Sequence, residues 1–212
     1  MSGGEAALRL GIDFDNTIVS YDALFHRVAR EGKWIPEHLA VSKISVRDHL
    51  RRIGKEPVWT QMQGIVYGAR IREAEAYPGV HEFMRWARNA RLEVCIVSHK
   101  TLHPFIGPKY DLHEAARGWI RTHLRDEEGP LVEPRNVFFE LTREDKCARL
   151  GALGCTVFVD DLPELLLAPD FPDSIEPLLF DPDDHHAGVG IQRIRSWQEL
   201  HKLMQSRWPG SR

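Results

Sequence analysis

Five short runs, Leu8-Asp13, Leu92-Ser98, Asn136-Glu140, Cys155-Asp160 and Pro177-Phe180, have β-type composition, and most are apolar throughout rather than alternating. A strand wetted on one face alternates with period two, so an unbroken apolar run marks a strand covered on both faces. Between these runs stand helical patterns at Val80-Arg91, Leu112-Leu124, Arg143-Leu153 and Leu162-Leu167, with a last helix near Ser196-Met204. Strand and helix therefore alternate. That order predicts an α/β fold in which helices cover both faces of a parallel sheet.

The interval from Ser20 to Tyr77 breaks the alternation. Its segments Asp22-Arg30, Val46-Ile53 and Pro57-Glu75 read as helices, and it holds no convincing strand. Pro57 suits a first helical turn and Ser45 an N-cap. Such an interval is too long for a simple crossover, so residues 21–77 are expected to form an inserted helical cap, with residues 1–20 and 78–212 as the core domain. No internal repeat, low-complexity tract or heptad run is present. Gly3-Gly4 and Pro209-Gly210-Ser211-Arg212 read as frayed ends.

The 212 residues are 42% hydrophobic and 28% charged, which excludes the disordered class and allows a substantial core. A net charge of −3 gives no global electrostatic reason to expect nucleic-acid binding. Cys95, Cys147 and Cys155 fall within predicted core elements and form no C-x-x-C pair, so they read as buried thiols of a reducing compartment. Met1 to Ala7 has no basic n-region, and no 18 apolar residues follow one another. A soluble cytoplasmic protein without membrane contact is expected; oligomeric state is not legible.

The first apolar run ends in Asp13-Phe14-Asp15-Asn16-Thr17. Along a strand, side chains alternate faces, so Asp13 and Asp15 project to one side and Phe14 into the core. Ligands of open α/β sheets bind at the carboxyl ends of strands, which is where this pair lies. Three further groups occupy equivalent places. Ser98 closes Val94-Cys95-Ile96-Val97, and its hydroxyl and the backbone N–H groups that follow, beginning at His99, suit a phosphate or carboxylate oxygen. Lys146 stands near the start of a helix that Thr142 would cap, one helix before the next strand. Asp160-Asp161 ends Thr156-Val157-Phe158-Val159, and adjacent acids closing an apolar strand are costly without a cation. Asp13, Asp15, Asp160 and Asp161 together form an oxygen-rich anionic set of the type that suits Mg²⁺.

In order, Asp13-Phe14-Asp15-Asn16-Thr17, Ser98, Lys146 and Asp160-Asp161 resemble the four motifs of the haloacid dehalogenase (HAD) superfamily, and Pro78-Gly79-Val80 resembles its turn from cap to core. The resemblance implies a Rossmann-like three-layer core with a five-stranded parallel sheet, plus a small helical cap inserted after the first motif. It implies a phosphatase: Asp13 would attack phosphorus to form an aspartyl-phosphate, and Asp15 would protonate the leaving oxygen and then activate water. Mg²⁺ would be held by Asp13, the backbone carbonyl of Asp15, Asp160 and Asp161. Thr17, Ser98, His99 and Lys146 would bind the phosphate, with Lys100 a rival to Lys146. Dehalogenases of the superfamily lack an acid at the position of Asp15, so dehalogenation is disfavoured. The expected activity is Mg²⁺-dependent hydrolysis of a small-molecule phosphate ester, a sugar phosphate or nucleotide. The alternatives are a phosphomutase of the same superfamily and a non-catalytic member that binds a phospho-ligand.

Other polar groups receive plainer readings. His49, Arg51, Arg52, Arg70 and Arg72 are expected on solvated helix faces, and Trp59 in packing. The tract Asp181, Asp183, Asp184, His185 and His186 has the composition of a metal site but is expected to be a flexible acidic loop. His103-Pro104 and Gly107-Pro108 mark an irregular loop after Ser98, expected to border the site from the core side.

Overall fold

Residues 8–208 are described by a computed structural model of the chain. The expectations at Met1-Ala7 and Pro209-Arg212 lie outside the described residues. In chain order the elements are β1 (Arg9–Ile12), α1 (Asp22–Glu31), α2 (Lys43–Arg52), α3 (Glu56–Gly64), α4 (Val80–Asn89), β2 (Glu93–His99), α5 (Leu112–His123), β3 (Val137–Glu140), α6 (Arg143–Ala152), β4 (Val157–Asp160), α7 (Pro163–Leu166), β5 (Glu176–Phe180), β6 (Gln192–Ile194) and α8 (Trp197–Arg207).

The residues fall into two units. The first, holding described residues 8–18, 77–99 and 124–208, contains a six-stranded sheet in the order β6-β5-β4-β1-β2-β3, with every pairing parallel. The sequence predicts five strands, and the sixth is β6. Its three residues, Gln192-Arg193-Ile194, carry one buried apolar side chain at the sheet's edge, too little to register as an apolar run. After β1 the chain builds outward through β2 and β3, then returns to the other side of β1 with β4. The strand order thus reverses at β1, which makes the carboxyl ends of β1 and β4 the switch point where ligands of open sheets bind.

The central strands are apolar because they have no wet face: Leu10 and Ile12 of β1, Ile96 and Val97 of β2, and Phe158 and Val159 of β4 are inaccessible to solvent. One face of the sheet packs Val97, Phe158 and Leu179 against Leu150 and Cys147 of α6 and Leu165 and Leu166 of α7. Gly11 interrupts β1 for a steric reason. A Cβ there would come within 2.8 Å of the Phe158 ring and 3.2 Å of Cys155 Sγ. The gap lets Cys95 Sγ and Cys155 Sγ meet at 3.4 Å, and all three cysteines are buried and free, as their positions predict.

The second unit holds residues 19–76 and also residues 100–123. The latter segment, with α5 and the loop at His103-Pro104 and Gly107-Pro108, belongs by sequence to the predicted core; in the structure it joins the helices of the inserted interval. The contacts explain why. Trp119 donates its indole N–H to the Ala74 carbonyl at 2.9 Å, and a Cβ on Gly68 would lie 2.7 Å from Tyr110 Cβ, so only glycine permits that approach. Inside this unit α2 is capped by Ser42, whose hydroxyl accepts from Ser45 N–H at 3.3 Å; the predicted cap, Ser45, is the donor inside the first turn. Pro57 does sit in the first turn of α3. The helix predicted through Glu75 stops at Gly64, giving way to a π-turn at Ile65–Ala69 and a 3₁₀ turn at Ile71–Glu73. Val19–Ser20 and Glu75–Ala76 close the interval as a short antiparallel pair.

Candidate active site

β1 stops at Ile12, and the next residues fold into a tight loop at its carboxyl end. Asp13 N–H donates to the Val159 carbonyl at 2.8 Å, which continues the β1-β4 pairing and sets the two strand ends side by side. Phe14 turns into the core edge-on to Phe139, as the alternation predicts. Asn16 adopts φ 58°, a left-handed conformation that asparagine tolerates better than most residues. Ile18 N–H donates to the Phe14 carbonyl at 3.1 Å and Tyr77 N–H to the Ile18 carbonyl at 2.9 Å, which close the loop. The Trp197 indole, at the start of α8, donates to the Thr17 carbonyl at 3.0 Å. Motif reading misses this tether to the loop; the only sequence signal of Trp197 is a bulky aromatic following the N-cap Ser196.

Lys146 reaches this loop from the first turn of α6. Thr142 caps that helix, accepting from Asp145 N–H at 3.0 Å, as predicted. Cys147 and Leu150 bury one stripe of α6 in the core, and the neighbouring Lys146 is carried down with them until it is itself buried. Its Nζ donates to Asp13 Oδ1 and Asp160 Oδ2, each at 2.6 Å. Asp160 Oδ1 accepts from Leu162 N–H at 2.9 Å, so both oxygens of that carboxylate are engaged. An ammonium between two buried carboxylates offsets part of the cost of taking three charges out of water.

The charges are strongly perturbed. Burial drives the Asp13 carboxyl upward; Lys146 opposes it, Asp160 and Asp15 reinforce it, and its pKa stands at about 7. Asp15 is therefore close enough for its charge to act on Asp13. Burial also works to discharge Lys146, but Asp13 and Asp160 outweigh it and hold the ammonium above its ordinary range. Lys146 therefore stays charged beside the two carboxylates.

Asp13, Asp160 and Asp161 each offer a carboxylate oxygen, and the three lie within 4.8 Å of one another. Three hard oxygen donors at one strand edge fit a small divalent cation such as Mg²⁺. Asp15 does not contribute a carboxylate to this set. No other group of three or more potential ligands occurs among the described residues, so the Asp181-His186 tract is not a metal cluster. Nor is it a loose loop: Asp181 is buried, accepts from the N–H groups of His185 and His186 at 2.9 and 3.0 Å, and pairs with Arg193.

The phosphate-binding expectations divide. Ser98 is buried at the carboxyl end of β2, the strand beside β1. Thr17 is fully buried, and its Oγ1 has no hydrogen-bond partner among the described residues. His99 is exposed as a residue, but its ring, hydrogen-bonded to the Leu141 carbonyl at 3.1 Å, is partly shielded from water, and that desolvation is the main cause of its lowered pKa. Lys100 belongs to the second unit, its ammonium 4.9 Å from the Tyr67 ring centroid. Lys146 is the lysine hydrogen-bonded to Asp13 Oδ1. Arg51 pairs with Glu56, and Arg70 with Glu31 and Glu73, while Trp59 stacks on Phe25 at 4.7 Å, in keeping with the plain readings.

No protein-family model matches the sequence, and no curated protein does. Solved structures do. A HAD family hydrolase from Deinococcus radiodurans R1 with bound phosphate and sodium is similar at TM-score 0.58 and 16% identity, covering 95% of this chain and 97% of that one. The HAD-hydrolase YfnB from Bacillus subtilis, bound to magnesium, is similar at TM-score 0.56 and 13% identity, over 94% and 99% of the two chains. A haloacid dehalogenase-like hydrolase from Xanthomonas campestris is similar at 0.57 and 12%, over 97% and 98%. At these identities the likeness is one of fold. The chain has the fold seen in these haloacid dehalogenase superfamily hydrolases.

Proposed function

We propose that the protein is a Mg²⁺-dependent phosphomonoester hydrolase that works through an aspartyl-phosphate on Asp13. The observation that carries this reading is the buried Asp13-Lys146-Asp160 bridge, with 2.6 Å on both sides of the ammonium, at the switch point of a parallel sheet. Lys146 takes Oδ1 of Asp13, and Oδ2 has no hydrogen bond among the described residues. Oδ2 is the attacking oxygen. It forms the bond to phosphorus as the bond to the ester oxygen breaks, and Asp15 gives that oxygen its proton. Asp15, now a carboxylate, takes a proton from water; the water oxygen attacks phosphorus and releases phosphate and the Asp13 carboxylate. Lys146 stays charged throughout and balances the negative charge gathered around the transferred group. Asp13, Asp160 and Asp161 would hold Mg²⁺, which supplies further charge neutralisation.

Hydrolases with this fold include dehalogenases, as one similar structure, an L-2-haloacid dehalogenase at TM-score 0.54, illustrates. Asp15 separates the two chemistries. A departing halide needs no proton, whereas a departing alkoxide does, so an acid beside the nucleophile serves ester cleavage. The test is release of phosphate from p-nitrophenyl phosphate with and without Mg²⁺, run beside release of chloride from 2-chloropropionate. Metal-dependent phosphate release that disappears in Asp13→Asn is expected. Chloride release without any phosphatase activity across a broad ester panel would overturn the reading.

A further inference from the structure

At the opposite edge of the sheet from Asp13, the amino ends of β1 and β2 and the end of α4 enclose a cavity of about 590 Å³. Four residues of β1, at about 3.3 Å each, separate it from the carboxylates. Its volume lies in the range of small-molecule sites, about 300–1,000 Å³. Leu92, Val94, Leu131 and Val132 give it an apolar wall.

Four arginines line the same cavity, and they are of two kinds. Arg9 is paired with Glu93, and Arg88 holds Asp126 with two bonds of 2.8 and 2.7 Å. Arg91 and Arg135 are exposed, and their guanidinium groups make no ion pair or hydrogen bond among the described residues. Arg91 also adopts φ 56°, just beyond α4, where a helix end ordinarily takes glycine or asparagine. The charges of Arg91 and Arg135 are thus left unspent in the cavity lining. Glu133 is a lining carboxylate that no basic group holds among the described residues. The wall that carries it is fixed to β2 by Asn136, whose Nδ2 donates to the Val94 carbonyl at 3.3 Å.

We propose that this cavity is a second ligand site and that it takes a nucleoside monophosphate. Arg91 and Arg135 receive the phosphate, as guanidinium forks match its oxygens. Glu133 accepts from the ribose hydroxyls, the role an acid plays wherever a ribose is read. The apolar wall covers the base. A lone inorganic anion would use the arginines and leave both Glu133 and the wall without a partner.

The experiment is isothermal titration of AMP into the full chain carrying Asp13→Asn, which prevents turnover. Saturable binding is expected, weakened at least about tenfold by Arg91→Ala with Arg135→Ala and unchanged by Ser98→Ala. Glu133→Gln, which preserves shape, is expected to weaken AMP and leave inorganic phosphate unaffected. Without the Asp13 substitution, the arginine double variant should keep its thermal melting point and its release of p-nitrophenol. Three results would overturn the proposal: no saturable binding of AMP, AMP binding lost with Ser98→Ala but kept by the arginine double variant, or phosphate binding as tightly as AMP. Because binding is read directly, these outcomes are independent of whether the chain hydrolyses phosphate esters.

Discussion

Lys146 Nζ lies 2.6 Å from Asp13 Oδ1 although the two residues stand 133 positions apart in the chain. The contact ties the first turn of α6 to the loop after β1, and it makes one side chain responsible for two acids. Lys146→Met keeps the length and apolar stem but strands Asp13 and Asp160 as buried neighbours of like charge. Breaking a buried pair in this way costs about 3–5 kcal/mol. We expect a lower urea midpoint with an unchanged slope, and no measurable turnover in the fraction that folds.

The two acids of the first motif should fail differently. Asp13→Asn removes the attacking oxygen, so no acid-stable incorporation of labelled phosphate is expected. Asp15→Asn leaves the nucleophile and removes the proton donor and later base. Esters with good leaving groups should then still phosphorylate Asp13, and the labelled intermediate should persist. Equal loss of labelling in both variants would contradict the separate roles.

Trp197 offers a test of the loop itself. Trp197→Phe preserves most of the buried ring but leaves the Thr17 carbonyl without its indole donor. Loss of a partner for a buried acceptor costs about 1–3 kcal/mol. Since Thr17 lies within the same loop as Asp13 and Asp15, kcat should fall while KM stays near its original value. A melting-point loss without any change in kcat would assign Trp197 to packing alone.

Gly11→Val should be among the more damaging single changes in the sheet. Even the first added carbon would stand 2.8 Å from the Phe158 ring and 3.0 Å from Leu150. Overpacking a dense core costs about 1–3 kcal/mol. Gly11→Val paired with Phe158→Leu should recover part of the lost melting temperature, since the first contact is with that ring.

Acid should weaken the first unit through Asp126. Side-chain hydrogen bonds from Arg88 hold its pKa at about 2, below the ordinary 3.8. The folded state is therefore favoured by an ionised Asp126 above about pH 4, and this contribution is lost as pH falls from there through about 2. Arg88→Met should move the acid-unfolding midpoint, followed by tryptophan fluorescence, to higher pH, with little change in stability at pH 7 beyond the loss of the pair.

Much of the first unit is legible in the sequence because its strands are short, apolar and punctuated by polar groups at their ends. Leu92-Ser98 shows both features: the run marks β2, and Ser98 marks where it leaves the sheet. The Asp13, Lys146 and Asp160 association is foreshadowed by order and strand context, since each stands at a carboxyl end or the helix that feeds one. What the sequence withholds is decided by contacts between distant residues. β6 is polar in two of three positions and exists because Leu178 to Phe180 offer it an edge. α5 has the same amphipathic pattern whichever unit it joins, and distant contacts such as Trp119 reaching Ala74 and Tyr110 reaching Gly68 decide the matter. The sequence also withholds where the side chains of the motif positions Thr17 and His99 lie: the first is fully buried, and the ring of the second bonds the Leu141 carbonyl.

The assignment of residues 100–123 to the second unit means that this unit is stitched from two stretches of chain, and the polypeptide passes between the units four times. A module of that kind cannot be exchanged as a cassette. A chimera that replaces only residues 19–76 would leave α5 and Tyr110 facing a foreign surface, while one that replaces both stretches rebuilds a complete structural unit. Any engineered transplant of this unit must carry both stretches and rejoin the chain at all four crossings.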